Sequence, residues 1–149
     1  MEPVLVLKVL HVLAAIVAVG ANLTYAFWLR WAGTDRDRLI WTIGSIRRLD
    51  RTVANPGYIV VLLTGIGMVV AGAYSFETGW IVASIALYVL TALLGLFAFA
   101  PAIRRQLAEA EGDPTSPAYA AAARRTTILG LLTTAVVVVI VVLMVTKPI

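Results

Sequence analysis

Apolar residues run through this chain in four long blocks, roughly Val4–Leu29, Val53–Tyr74, Trp80–Ala100 and Thr127–Val145. A helix needs about 20 such residues to cross the hydrocarbon of a bilayer. The last three blocks carry no charged side chain, and the first carries only Lys8, near its start. Within lipid the backbone must satisfy its own hydrogen bonds, which leaves helices or closed barrels. Continuous runs such as Val136–Val142 lack the in/out alternation of a barrel strand. The pattern therefore predicts an all-α membrane protein, a four-helix transmembrane bundle forming a single domain over residues 1–149. The first block exceeds the apolar core of a signal peptide and is followed by no clean small-residue cleavage site, so it reads as a retained span. Phe27, Trp28 and Trp31, with Arg30, form its interfacial anchor.

The connections carry helical patterns of their own. Between spans one and two, Asp35 to Asp50 reads as a short interfacial helix with Thr34 as N-cap. Leu39, Ile40, Ile43 and Ile46 fall on one face of it, which is expected to lie on the membrane while arginines meet anionic headgroups. After span three, Ile103–Glu111 extends the helix to a stop at Gly112. Ser116-Pro117 then has the N-cap and N1 pattern that opens a helix running into span four. No convincing internal repeat, Gly-rich phosphate loop or HExxH motif is present.

Composition agrees with this layout: 61% of the 149 residues are hydrophobic and 13% charged, with mean hydropathy +0.95. A soluble domain has about 25% charged residues. The net charge of +4 would suggest nucleic acid only if its basic residues formed a solvated face, and they do not. Arg30, Arg36, Arg38, Arg47, Arg48 and Arg51 follow span one, and Arg104, Arg105, Arg124 and Arg125 follow span three. Lys8 and Lys147 alone serve the opposite side. By the positive-inside rule both arginine-rich loops face the cytoplasm, and both termini and the Ser75–Gly79 turn face outward. Cysteine is absent, which excludes disulfides, thiolate metal sites and cysteine nucleophiles, and a single histidine excludes a zinc site built on several imidazoles.

Candidate chemistry concentrates on span one. Lys8, His11, Ala15, Ala18, Asn22 and Tyr25 are spaced by three or four residues and share one stripe. Polar groups inside a membrane face the bundle interior, and the two alanines leave room for a neighbouring helix or a flat ligand. Lys8 can instead snorkel to the surface, and His11, Asn22 and Tyr25 can serve as interhelical hydrogen-bonding groups. The functional alternative makes Lys8, His11, Asn22 and Tyr25 a cofactor site, with His11 as axial ligand to haem iron and Lys8 near a propionate. Ser84, Tyr88, Thr91 and Gly95 form a second polar stripe on span three, a natural partner for the first. Thr133 and Thr134 back-bond to their own helix. Arg47, Arg48, Asp50 and Arg51 read as anchors at the membrane surface, with Asp50 bracing an arginine.

Leu7-Lys8-Val9-Leu10-His11-Val12-Leu13 with Gly20 and Asn22, then Arg48-Leu49-Asp50-Arg51, Pro56, Leu63-Thr64-Gly65, Trp80 and Met144-Val145-Thr146-Lys147-Pro148, together resemble the bacterial integral membrane proteins grouped as domain of unknown function 2269. That resemblance implies the bacterial inner membrane and carries no activity. More remotely, the order of His11, Arg47-Arg48-Leu49, Pro56 and Trp80 is similar to the membrane protoporphyrinogen oxidases and the membrane part of copper-resistance protein D. The former resemblance implies haem or porphyrin handling at His11. Ser84 stands where those oxidases have a lysine, and Ala18 about where they have a tryptophan. Both departures argue against porphyrinogen oxidation and leave simple haem binding open.

The sequence thus leaves two functional classes. One is a redox protein binding haem b or a porphyrin, with five-coordinate iron on His11 or a bis-imidazole site shared across a homodimer. The other is a non-catalytic membrane subunit or assembly protein whose stripes pack helices or contact another subunit. No residue is assigned a catalytic role, and whether the protein is an enzyme stays open at this point. A small-solute transporter is disfavoured, because nothing in the pattern breaks a span and no buried carboxylate is expected.

Overall fold

The computed structural model describes residues 3–148. Four rods cover most of them: Pro3–Ala32, Arg36–Val70, Gly79–Gly112 and Pro117–Thr146, each long and apolar enough to cross a membrane. The first rod is helix α1 (Pro3–Ala32) and the last is α6 (Pro117–Thr146). The second comprises α2 (Arg36–Leu49) and α3 (Asn55–Val70), and the third α4 (Gly79–Leu94) and α5 (Ala100–Gly112). At about 1.5 Å per residue, the 35- and 34-residue middle rods outreach a hydrocarbon core of about 30 Å. Their surplus, α2 and α5, stands at the arginine-rich end.

Inside each middle rod the helix widens for one π-turn, at Asp50–Ala54 and at Gly95–Phe99. Asn55 N–H reaches back to the Asp50 carbonyl, and Ala100 N–H to the Gly95 carbonyl. In both rods the next residue is proline, Pro56 or Pro101. A proline ring strikes the carbonyl four residues back and offers no N–H to it. That carbonyl belongs to Thr52 or Phe97, and loosening the turn to i→i−5 relieves both problems without ending the helix. The two spans are therefore interrupted as regular α-helices, which the sequence pattern did not anticipate.

The capping chemistry explains the remaining ends. Asp35, not Thr34, caps α2, its carboxylate accepting the Arg38 N–H at 2.9 Å. Span two stops at Val70, short of Tyr74, because Gly72 adopts φ +77°. Gly72 N–H then bonds the Val69 carbonyl at 2.9 Å and Ala73 N–H the Met68 carbonyl at 3.0 Å, a Schellman stop. Ser116 caps α6 by accepting Tyr119 N–H, as its sequence predicts. In the preceding turn, the hydroxyl and N–H of Thr115 donate to Asp113 at 2.6 and 2.8 Å, holding that carboxyl below the usual range.

The short helix between spans one and two is present, but its apolar face does not lie on lipid. Leu39, Ile43 and Ile46 are buried, and Ile43 and Ile46 share a core with Tyr25 of α1 and Ile103 and Ala110 of α5. Because α2 continues into α3, it runs along the bundle, where α5 offers a complementary apolar face. An Arg36 guanidinium bond to the Glu111 carbonyl ties the far ends of α2 and α5. Trp28, Trp31 and Trp41 stay exposed around this end, as an interfacial belt should. At the opposite end Lys147 Nζ lies 5.1 Å from the Tyr74 ring centroid and 5.9 Å from that of Trp80, joining α6 to the α3–α4 turn.

Across the membrane α1 packs along α3, and α6 along α4, with α1 also touching α6. Among the described residues, α3 and α4 have no Cα atoms within 8 Å of each other. The spans thus form an arc, α3–α1–α6–α4, open between its two ends.

Candidate functional site: an intramembrane chamber

The antiparallel α1–α3 seam is built from small residues. A Cβ at Gly57 would lie 3.0 Å from Ala18 Cβ, one at Gly65 3.3 Å from the His11 ring, and one at Gly67 3.3 Å from Leu7. Ala18 is fully buried there, so the middle of the stripe accommodates a helix and not a flat ligand. His11 Nδ1 lies 3.0 Å from Thr64 Oγ1. That hydroxyl also lies 2.6 Å from the Val60 carbonyl; when it donates there, the imidazole donates from Nδ1 and Nε2 carries the lone pair. Lys8 is exposed.

Further along α1 the seam opens. Inside the arc lies a chamber of about 440 Å³, within the range of small-molecule sites. Asn22 and Tyr25 line it from α1, Asp50 from the first π-turn, Tyr58 from α3, Tyr88 and Thr91 from α4, and Gly95 and Phe99 from the second π-turn. Thr126, Thr133 and Thr134 of α6 complete it. The sequence-derived stripe therefore divides: Asn22 and Tyr25 reach this space, whereas His11 and Lys8 do not. The stripes on spans one and three do meet, through Tyr88, Thr91 and Gly95, while Ser84 lies buried outside the chamber.

Polar contacts knit the walls. Asn22 Nδ2 donates to Tyr58 Oη at 2.7 Å, Tyr25 Oη to Asp50 Oδ1 at 3.3 Å, and Tyr88 Oη to the Tyr58 carbonyl at 3.1 Å. The last bond is a bridge across the open side of the arc. Asn22 Oδ1 is buried without a hydrogen-bond partner. Thr91, Thr126 and Thr133 spend their hydroxyl hydrogens on the carbonyls of Leu87, Ala122 and Leu129, leaving oxygen lone pairs. Exposed apolar side chains, Ile59 and Leu96 on one flank and Leu23 and Leu131 on the other, form the rim.

Asp50 corrects two sequence-based expectations. It braces no arginine: among the described residues the ion pairs are Arg36–Asp37 at 3.8 Å and Arg105–Glu109 at 3.6 Å. It also supplies the half-buried carboxylate that the span pattern lacked, because it sits at the membrane-facing end of α2 and the π-turn rotates it inward. Arg48 and Arg51, its neighbours, are exposed and Arg47 is half-buried. Tyr58, Phe99 and Thr126 were not singled out as site residues from sequence, and Asp50 was read there only as a surface anchor. The available signal was the repeated register of a proline six residues after Asp50 and after Gly95. Among the described residues, no three His, Asp or Glu side chains gather as metal ligands.

A family model described as "Predicted integral membrane protein (DUF2269)" matches residues 5–148, nearly the whole chain. No curated protein and no solved structure matches it.

Proposed function

The chain belongs to this family of integral membrane proteins of unknown function, and from that premise we propose that it is a non-enzymatic binding protein holding a small amphipathic molecule in its intramembrane chamber. The observation that carries this reading is the chamber itself: polar side chains from four rods converge on one space whose rim is apolar and exposed. Such a rim admits a molecule from lipid, while the interior rewards a polar head. The family resemblance supports the bacterial inner membrane as its location, and the charge asymmetry supports an arginine-rich end in the cytoplasm. The chamber then opens in the cytoplasmic leaflet.

The test is a plug. Gly95 lines the chamber, and a Cβ there meets nothing within 4 Å, so Gly95→Leu fills space without a clash at its first atom. In nanodiscs, a dansyl-labelled single-chain amphiphile should bind the native protein saturably and lose most of that binding in Gly95→Leu. Equal binding to both would remove the chamber from consideration.

The imidazole favours a second reading, haem b on His11. With the Thr64 hydroxyl turned to Val60, Nδ1–H donates to Thr64, and histidines that ligate a metal through one ring nitrogen are oriented by such a bond at the other. In that case Nε2 would hold the iron. Haem would supply one-electron chemistry, and it would have to lie outside both the chamber and the close-packed part of the α1–α3 seam. Lys8, one turn away on the same stripe, would face a propionate, and a second copy would bring a second imidazole. In this reading the purified protein shows a near-stoichiometric Soret band that is lost in His11→Ala. A colourless protein after expression with haem precursor would leave His11 as a helix-packing residue.

A further inference from the structure

We propose that the head of the chamber's ligand is a protonated amine, received by the Asp50 carboxylate and the hydrogen-bond acceptors around it; this rests on the chamber reading above. The lining is one-sided in charge: it contains one carboxylate and no lysine, arginine or histidine. It also offers free acceptors: Asn22 Oδ1 has no partner, and Thr91, Thr126 and Thr133 have turned their hydrogens to the backbone.

A carboxylate placed against low-dielectric surroundings normally takes a cationic partner, since a lone buried charge is costly. Seven arginines lie in the neighbouring segments, at positions 47, 48, 51, 104, 105, 124 and 125, yet none pairs with Asp50 among the described residues. Its contact is a long bond from Tyr25 at 3.3 Å, which leaves most of its accepting capacity free. Aromatic rings of Tyr25, Tyr58, Tyr88 and Phe99 line the same space, and ring faces attract ammonium groups. Exposed arginines at the same end would repel a cation in solution but not one arriving through the apolar rim. A dehydrated metal ion would leave most of about 440 Å³ empty, whereas an ammonium with an apolar body fills it. Lone pairs on threonine and asparagine oxygens ask for N–H donors, which favours a primary amine over a quaternary one.

The experiment compares dansylcadaverine, which carries a protonated primary amine, with its N-acetyl derivative, which keeps the fluorophore and loses the charge. Binding is measured to the full chain in phosphatidylcholine nanodiscs, where no net lipid charge biases either probe. The native protein should prefer the amine by about tenfold or more, the scale of one charge-assisted hydrogen bond. Asp50→Asn, nearly isosteric, should abolish the preference by weakening binding of the amine probe about tenfold or more. Asp50→Glu should restore part of it, which separates loss of charge from loss of fold. Equal affinity of both probes for the native protein, or a preference that survives Asp50→Asn, overturns the amine assignment and leaves the chamber reading standing. Absence of saturable binding by either probe overturns both.

Discussion

At the scale of single residues, this bundle depends on where side chains are absent. Lipid tails are as apolar as the helices they surround, so close packing and interhelical hydrogen bonds carry the association of spans. The seam between α1 and α3 obtains both from adjacent positions: Gly57 admits Ala18, Gly65 admits the His11 ring, and Thr64 bonds His11. Gly57→Ala would place a Cβ 3.0 Å from Ala18 Cβ and 3.4 Å from the Ala14 carbonyl. Neither neighbour can rotate away, so the helices must separate, at a cost of about 1–3 kcal/mol. A lowered thermal unfolding midpoint in detergent, with helix content retained before melting, is the expected result. An unchanged midpoint would mean the seam is looser than these distances indicate.

At the scale of elements, each middle rod uses a proline to set the register between its two halves. An α-helix advances about 100° per residue, so the one extra residue of a π-turn rotates everything beyond it by that amount. The rotation turns Asp50 toward Tyr25 and places Gly95 and Phe99 on the chamber wall. Replacing Pro56 with alanine removes the ring that blocks the Thr52 carbonyl and permits a regular helix. Pro56→Ala is thus expected to keep or raise thermal stability while reducing binding of the dansyl amphiphile several-fold, because Asp50 and α2 leave their register. Stability and binding falling together would assign the proline a packing role instead. Proline in a span was visible in the sequence, and so were the extension of span three and the Ser116 cap. Its consequence was not visible, since a proline can kink, break or widen a helix and tertiary packing selects among these.

At the scale of the whole molecule, the arc α3–α1–α6–α4 leaves one pair of neighbours unpaired. The chamber exists because of that gap, and the Tyr88–Tyr58 bond spans it. The proposed orientation puts the gap's polar end in the cytoplasmic leaflet. Because the chain has no cysteine, single replacements report topology cleanly. Ser75→Cys should react with a membrane-impermeant maleimide added to intact spheroplasts, and Asp113→Cys only after lysis. The reverse pattern would place the arginine-rich end outside and contradict the charge-based assignment.

Hydrophobic length and charge asymmetry are properties of a one-dimensional string, so the four spans, their helical state and the crowding of arginines at one end were determined by sequence alone. The interior was not. His11 and Asn22 share a stripe eleven residues apart, about 16 Å along the helix, yet one is enclosed by Gly65 and Thr64 while the other opens on a chamber. Periodicity reports which residues share a face, and only the packing of distant segments decides what that face meets. Asp50 is the clearest instance: among arginines in sequence, it lies beside a tyrosine in space, because a widened turn ahead of Pro56 rotates it inward.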